Sequence, residues 1–117
     1  MTGLVSYLSG EAAESAVARH YARSGRPIAA TRWRGSAGEI DLIARDGAAV
    51  IFVEVKKSRS HEVAAQRLGQ RQMARIYGAA SEFLAGEPHG QNTEVRFDVA
   101  LVDALGRIEI VENVWAA

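Results

Sequence analysis

Charged residues alternate with apolar residues in two short stretches of the sequence, residues 38–43 (GEIDLI) and residues 52–56 (FVEVK). Successive side chains of a β-strand point to opposite faces of the sheet. Glu54 and Lys56 therefore share one face of their strand, and the two acidic residues of the first stretch share one face of theirs. Charged residues on strands that are otherwise Ile, Val, Leu and Phe are candidates for a functional site.

A turn signal between the two stretches, Asp46-Gly47, predicts that they form a β-hairpin. A two-residue loop there places Glu39 opposite Glu54, whereas a four-residue loop over 46–49 places Asp41 opposite Glu54. In both registers Asp41 and Glu54 are opposite or diagonal neighbours, with Cβ atoms within about 5–8 Å of each other. The sequence thus predicts that the two acids meet, and it leaves two registers open.

Two carboxylates at this distance repel each other, and a sheet interior does not tolerate them without compensation. One candidate for the compensation is Lys56, which would make the group a structural ion-pair cluster. The other is a divalent cation, since Mg²⁺ and Mn²⁺ prefer carboxylate oxygens, and the backbone carbonyl of Val55 is a further candidate ligand. Beside such a metal, Lys56 would orient an attacking water or stabilise the charge that develops on a phosphate.

The hydrophobic pattern predicts an α/β fold in the order αβββαββ. The predicted elements are a helix over 10–24, strands over 28–34, 39–45 and 50–56, a helix over 64–85, and strands over 94–103 and 107–111. The third and fourth strands are apolar on both faces, which predicts a central sheet covered on both sides.

The chain has 117 residues and no cysteine, which fits one domain over 1–117 and excludes disulfides and zinc–thiolate sites. Residues 1–10 lack the pattern of a secretory signal, and no apolar stretch is long enough to span a bilayer. We therefore expect a cytoplasmic protein without a membrane partner. Residues 19–75 carry twelve Lys or Arg against five Asp or Glu although the formal net charge is zero, which indicates an anionic partner.

The GEIDLI and FVEVK stretches resemble the small bacterial YraN-like proteins, which belong to the PD-(D/E)XK, or restriction-endonuclease-like, superfamily. More distantly, the order of elements resembles that of archaeal Holliday-junction resolvases. The resemblance implies an αβββαβ core with a central mixed sheet flanked by two helices. It implies that Asp41 and Glu54 hold the metal and that Lys56 is the catalytic lysine. It also implies an acid on the first helix, for which Glu14 is the best match and Glu11 the alternative.

The resemblance further implies a supporting residue near the start of the second helix, for which Gln70 and Gln72 are the candidates. Glu39 is a third candidate for support, because it shares a face with Asp41. The basic residues expected to contact backbone phosphates are Arg32, Arg34, Lys57 and Arg59. Where the family often has arginine two residues after the lysine, this chain has Ser58, and Arg59 is the expected substitute.

The resulting hypothesis is an endonuclease that uses Mg²⁺ or Mn²⁺ to cleave nucleic-acid phosphodiesters. DNA is the expected substrate, and branched DNA is favoured by the resemblance to resolvases. A branched substrate would require a homodimer, since two strands must be cut symmetrically. The alternative hypothesis is a non-catalytic module that binds nucleic acid or protein on a nuclease fold.

Overall fold

The computed structural model describes residues 10–57 and 69–114. The elements are α1 (Gly10–Arg23), β1 (Ile28–Arg34), β2 (Glu39–Asp46), β3 (Ala49–Lys57), α2 (Gln70–Leu84), a short 3₁₀ turn (Gly90–Asn92), β4 (Val95–Val102) and β5 (Ile108–Val111). The observed bounds agree with the predicted ones to within one residue, except at the start of the second helix. The prediction there began at residue 64, and residues 64–68 lie outside the described part of the chain.

The five strands form one sheet in the order β1-β2-β3-β4-β5. The β3–β4 pair is parallel and the other three pairs are antiparallel, so the sheet is mixed. The long connection between β3 and β4, which contains α2, is the crossover that a parallel pair requires. The predicted α/β fold with a mixed sheet and two helices is therefore confirmed.

Each helix covers one face of the sheet, because alternate residues of the central strands point to opposite sides. On one face Val17 and Tyr21 of α1 pack with Leu42 and Val53, within a buried cluster that includes residues of β4. On the other face α2 packs over a second buried cluster that contains Val50, Phe52 and Ile43. Of the helices that the structure describes, neither is long and apolar enough to cross a membrane.

The β2–β3 hairpin adopts the register that a four-residue loop was expected to produce, in which Arg45 pairs with Val50. The loop itself is shorter than expected, because Asp46 and Ala49 also pair and only Gly47 and Ala48 remain in the turn. Gly47 has φ +62, and a glycine in this first position suits the type II′ turn that matches strand twist. The alternative in which Asp46-Gly47 formed the turn and Glu39 faced Glu54 was therefore wrong.

Strand β1 contains an irregularity centred on Arg32, which has φ +48. Ala30 and Trp33 both pack against the α2-side cluster although they are three residues apart. Regular alternation would send them to opposite faces, so the left-handed residue between them interrupts it. In β2, Ile40 and Ile43 also share that cluster, which shows that the neighbouring strand bends at the same level. Asp41 lies between these two isoleucines, at the level of the bend.

A buried network of polar side chains joins α1 to β4. The Tyr21 hydroxyl donates a hydrogen bond to Asp98 Oδ2 at 2.7 Å, and Arg96 donates to both oxygens of the same carboxylate at 2.8 and 2.9 Å. The backbone N–H of Asn113 donates to Asp98 Oδ1 at 3.1 Å. Burial and the Asp98 carboxylate raise the pKa of Tyr21 above its ordinary value. Since Asp98 is 1% exposed, these donors compensate for its desolvation.

Replacing Tyr21 by Phe is expected to lower the free energy of unfolding by about 1–3 kcal/mol, because the buried Asp98 carboxylate loses one donor. Urea denaturation monitored by circular dichroism measures the change. The matched control is Tyr77→Phe, since Tyr77 is exposed on α2. Equal stability of Tyr21→Phe and the wild type would contradict a structural role for this hydrogen bond.

Candidate metal centre

The candidate site lies where β2 separates from β3. The ladder pairs run from Asp46 with Ala49 to Leu42 with Val53. One step further, the same register sets Asp41 opposite Glu54. At this position the side chain of Asp41 acts as the acceptor for β3, because its Oδ2 accepts a hydrogen bond from the backbone N–H of Val55 at 2.8 Å. The separation of the strands thus opens room for two carboxylates in the middle of an apolar sheet.

Glu54 is the centre of this cluster and is only 8% exposed. Its carboxylate lies close enough to that of Asp41 for each group to shift the pKa of the other. Its Oε2 lies 3.2 Å from the Nζ of Lys56 and accepts a hydrogen bond from the side-chain amide of Gln72 on α2. The structure therefore brings together Asp41, Glu54 and Lys56 as the sequence predicted, together with Gln72, one of the two candidates for a supporting residue. The side chain of Gln70 lies outside what the structure describes.

The electrostatics of the site follow from burying two acids in contact. Burial, followed by the charge of Asp41, raises the pKa of Glu54 to about 7, and Lys56 opposes this shift. Burial also raises the pKa of Asp41, although the N–H of Val55 opposes the shift there. Without a cation the pair therefore takes up a proton as the pH falls through about 7. A divalent cation would replace that proton and remove the repulsion.

A cleft of about 340 Å³ gives access to the acid pair between β2 and α2. It is lined by Glu39, Asp41, Glu54, Gln72, Arg75 and Ile76. Glu39 lies at its exposed end, where its Oε2 accepts a hydrogen bond from Arg34 at 3.2 Å. The cleft is therefore acidic inside, and Glu39 lies in it as the alternation along β2 predicted.

Glu14 lies on α1 and is paired with Arg32. Arg32 Nε donates to Glu14 Oε1 at 2.8 Å, and its Nη1 lies 3.6 Å from Glu11 Oε2. These residues line a separate cavity of about 240 Å³ under α1. The charge of Glu14 still contributes to raising the pKa of Asp41, so the two sites are electrostatically linked. Within residues 10–57 and 69–114, no three His, Cys, Asp or Glu side chains are grouped to hold a metal ion.

Two of the basic residues that were predicted to contact phosphate form ion pairs with acids of the protein. Arg32 is engaged with the acids of α1, and Arg34 with Glu39. Lys57 is partly buried at the end of β3, and Arg59 lies outside the described residues. Sequence reasoning missed Arg75, which lines the cleft from α2. Its spacing of three residues from Gln72 would have placed both on one side of the helix.

Comparison with known proteins gives a consistent family relationship. Residues 13–102 match the model of the family described as "Uncharacterised protein family UPF0102". A UPF0102 protein of Cereibacter sphaeroides strain ATCC 17029 is 74% identical over 117 residues, which cover 100% of both chains. A UPF0102 protein of Ruegeria pomeroyi is 59% identical over 113 residues, which cover 97% of this chain and 92% of the relative. One from Roseobacter denitrificans is 50% identical over 111 residues, 95% and 86% of the two chains. The resemblance to the YraN-like proteins is thereby confirmed, and the chain belongs to the uncharacterised protein family UPF0102.

Proposed function

We propose that this protein is a metal-dependent endonuclease of the PD-(D/E)XK type that hydrolyses nucleic-acid phosphodiesters. The observation that carries the proposal is that the buried Glu54 and the half-buried Asp41 line one cleft, with Lys56 Nζ 3.2 Å from Glu54 Oε2. A purely structural cluster needs one acid for one lysine. Burial and then the charge of the second acid raise the pKa of Glu54 to about 7, so the second acid adds a repulsion that an ion pair with Lys56 does not require.

The donor set of the site fits Mg²⁺ or Mn²⁺. Two carboxylates supply hard oxygen ligands. The backbone N–H and C=O of one strand residue point to the same side of the strand. Since the N–H of Val55 meets Asp41, the carbonyl of Val55 faces the same gap. Three protein oxygens are enough for a magnesium ion that keeps waters and binds substrate phosphate. When bound, such a cation activates water and neutralises charge on the phosphate.

The side chains around the acids have separate roles in this proposal. The N–H of Val55 holds Asp41 in one orientation, and the amide of Gln72 does the same for Glu54. Lys56 holds a water or an oxygen of the reacting phosphate through its ammonium group. Its positive charge stabilises the negative charge that accumulates on the phosphate in the transition state.

DNA is the proposed substrate, with branched DNA and a homodimer as the specific form suggested by the resolvase resemblance. One observation favours the second candidate function, a non-catalytic module that binds nucleic acid or protein. Glu14, which the resemblance placed at the metal, is paired with Arg32 and leaves two acids at the centre. A module without catalysis needs no third acid.

A nuclease screen with Mg²⁺ and Mn²⁺ on single-stranded, duplex and branched DNA and on RNA tests the proposal. Lys56→Gln is expected to lower the cleavage rate by about 10²-fold or more, since one source of transition-state stabilisation is lost, while metal binding remains. Arg19→Gln, a charge removal at an exposed position of α1, is the control. Equal cleavage by Lys56→Gln and the wild type would contradict the assignment of Lys56 as the catalytic lysine and indicate a contaminating nuclease.

A further inference from the structure

Arg75 is an exposed arginine that lines the same cleft as the acid pair. Among the residues that the structure describes, none lies within hydrogen-bond or ion-pair distance of its guanidinium. Its guanidinium is therefore available to a ligand that enters the cleft.

The acids of the cleft already have other partners. Glu39 accepts a hydrogen bond from Arg34, and Asp41 accepts one from the backbone N–H of Val55. Glu54 is satisfied by Lys56 and Gln72. Arg75 is therefore left without an acid to pair with, and an anion from outside the protein fits it.

The backbone of α2 at Arg75 lies close to the loop that connects β1 to β2. A Cβ atom added to Gly38 would lie 3.1 Å from Arg75 Cβ and 3.5 Å from its carbonyl oxygen, so the helix and the loop approach closely there. Gly78, one turn further along α2, shows the same close approach, since an added Cβ would lie 2.6 Å from Ala37 Cβ. These contacts fix α2 against the β1–β2 loop, and with it the point from which the Arg75 side chain extends.

Arg71 lies one turn before Arg75 and is also exposed. No hydrogen bond or ion pair joins it to another residue in the described ranges. Residues four apart are neighbours on one face of a helix, about 6 Å apart along the axis, and two like charges there repel each other. A polyanion that contacts both guanidinium groups would remove this repulsion.

We infer that Arg71 and Arg75 bind two successive phosphates of the nucleic-acid strand that enters the cleft, beside the phosphate at the acid pair. The inference rests on the proposed function and assigns the face of the protein on which the strand lies. Arginine suits the task because its planar guanidinium donates two parallel hydrogen bonds to a phosphate. The phosphate-binding face is therefore assigned to α2 and not to β1. The two arginines of β1, Arg32 and Arg34, are paired with acids of the protein.

The test is binding of a fluorescein-labelled single-stranded DNA oligonucleotide, measured by anisotropy with Ca²⁺ in place of Mg²⁺ at several salt concentrations. Arg71→Gln and Arg75→Gln are each expected to raise Kd about tenfold at low salt. Each is also expected to reduce the slope of log K against log salt by about 0.7, the contribution of one phosphate contact on a single strand. Arg19→Gln on α1, which packs on the opposite face of the sheet, is expected to leave both quantities unchanged.

Arg75→Lys separates charge from geometry, since it keeps the slope but loses the paired hydrogen bonds, and an intermediate Kd is expected. Unchanged Kd and slope in both glutamine variants, an equal loss in Arg19→Gln, or no binding by the wild type would overturn the inference. A wild type that binds through these arginines but cleaves no substrate would leave the inference standing and remove the proposed nuclease function. Cleavage with an unaltered KM in both variants would support the proposed nuclease function and overturn the inference.

Discussion

Replacing Asp41 by Asn is expected to abolish stabilisation of the protein by Mg²⁺ and to lower metal-dependent cleavage by at least about 10³-fold. Metal-ion catalysis stabilises transition-state charge by several kcal/mol, and about 1.4 kcal/mol corresponds to a factor of ten in rate. Asparagine has nearly the shape of aspartate and retains an oxygen that accepts the N–H of Val55. The substitution therefore removes one charge from the centre and keeps the hydrogen bond that positions the side chain.

Thermal unfolding at increasing Mg²⁺ concentration measures the first effect, because a ligand that binds only the folded state raises Tm as its concentration rises above Kd. The wild type is expected to show a rising Tm and Asp41→Asn a flat one. Asp46→Asn is the matched control, since it removes an exposed acid from the same strand. If Mg²⁺ stabilised Asp41→Asn as strongly as the wild type, Asp41 would not be a metal ligand.

Replacing Glu54 by Gln is expected to stabilise the metal-free protein at pH 8 while removing activity. The pKa of Glu54 is raised from its ordinary 4.5 to about 7 in the fold by burial and by Asp41. At pH 8 the folded protein therefore contains an ionised group in a place that disfavours it. At about 1.4 kcal/mol for each pKa unit, the penalty is of the order of 3–4 kcal/mol at most. Lys56 loses its charged partner in the variant, so a net gain of about 1–2 kcal/mol is expected.

The contribution of Glu54 to the stability of the fold decreases as the pH rises. The folded pKa of Glu54 lies above the unfolded one, so the folded state binds the proton more tightly than the unfolded state. The stability contributed by this group is present in full below pH 4.5 and is lost as the pH rises through about 7. The acids whose pKa is lowered by hydrogen bonds, such as Glu82 and Asp103, change stability only at lower pH.

Chemical denaturation between pH 5 and 8 in the presence of EDTA distinguishes these contributions. The free energy of unfolding of the wild type is expected to decrease over this range, and that of Glu54→Gln to be nearly constant. Glu94→Gln, at an exposed position before β4, is expected to behave as the wild type does. A parallel decrease in Glu54→Gln would show that the titration belongs to another group. With Mg²⁺ present the order is reversed, since only the wild type has both ligands.

These two results together would show that the centre is a site where stability is reduced for the sake of ligand binding. Proteins place such destabilising groups where function requires them, and removing them stabilises the fold at the expense of activity. The network of Tyr21, Arg96 and Asp98 has the opposite character. It buries a carboxylate with enough donors to satisfy it, and it contributes to stability alone.

The sequence by itself determined the order of elements and the meeting of Asp41, Glu54 and Lys56. Both follow from local rules, because strand alternation and a glycine turn bring these residues to one face in any allowed register. The sequence could not choose the register, since both loops satisfied the same hydrophobic pattern. The structure selects the pairing of Arg45 with Val50, in which Gly47 alone supplies the positive φ of the turn.

Tertiary structure decided which residues surround that acid pair. Gln72 reaches Glu54 because α2 packs across β3, an arrangement that depends on contacts far apart in sequence. Glu14 meets Arg32 because a left-handed residue interrupts β1, and alternation rules predict nothing about such an interruption. Arg75 lines the cleft at a point where Gly38 lets the helix approach the β1–β2 loop closely. Residues on one strand or hairpin could therefore be assigned from sequence, whereas the contacts between separate elements, including the one that Gln72 makes, required the packed fold.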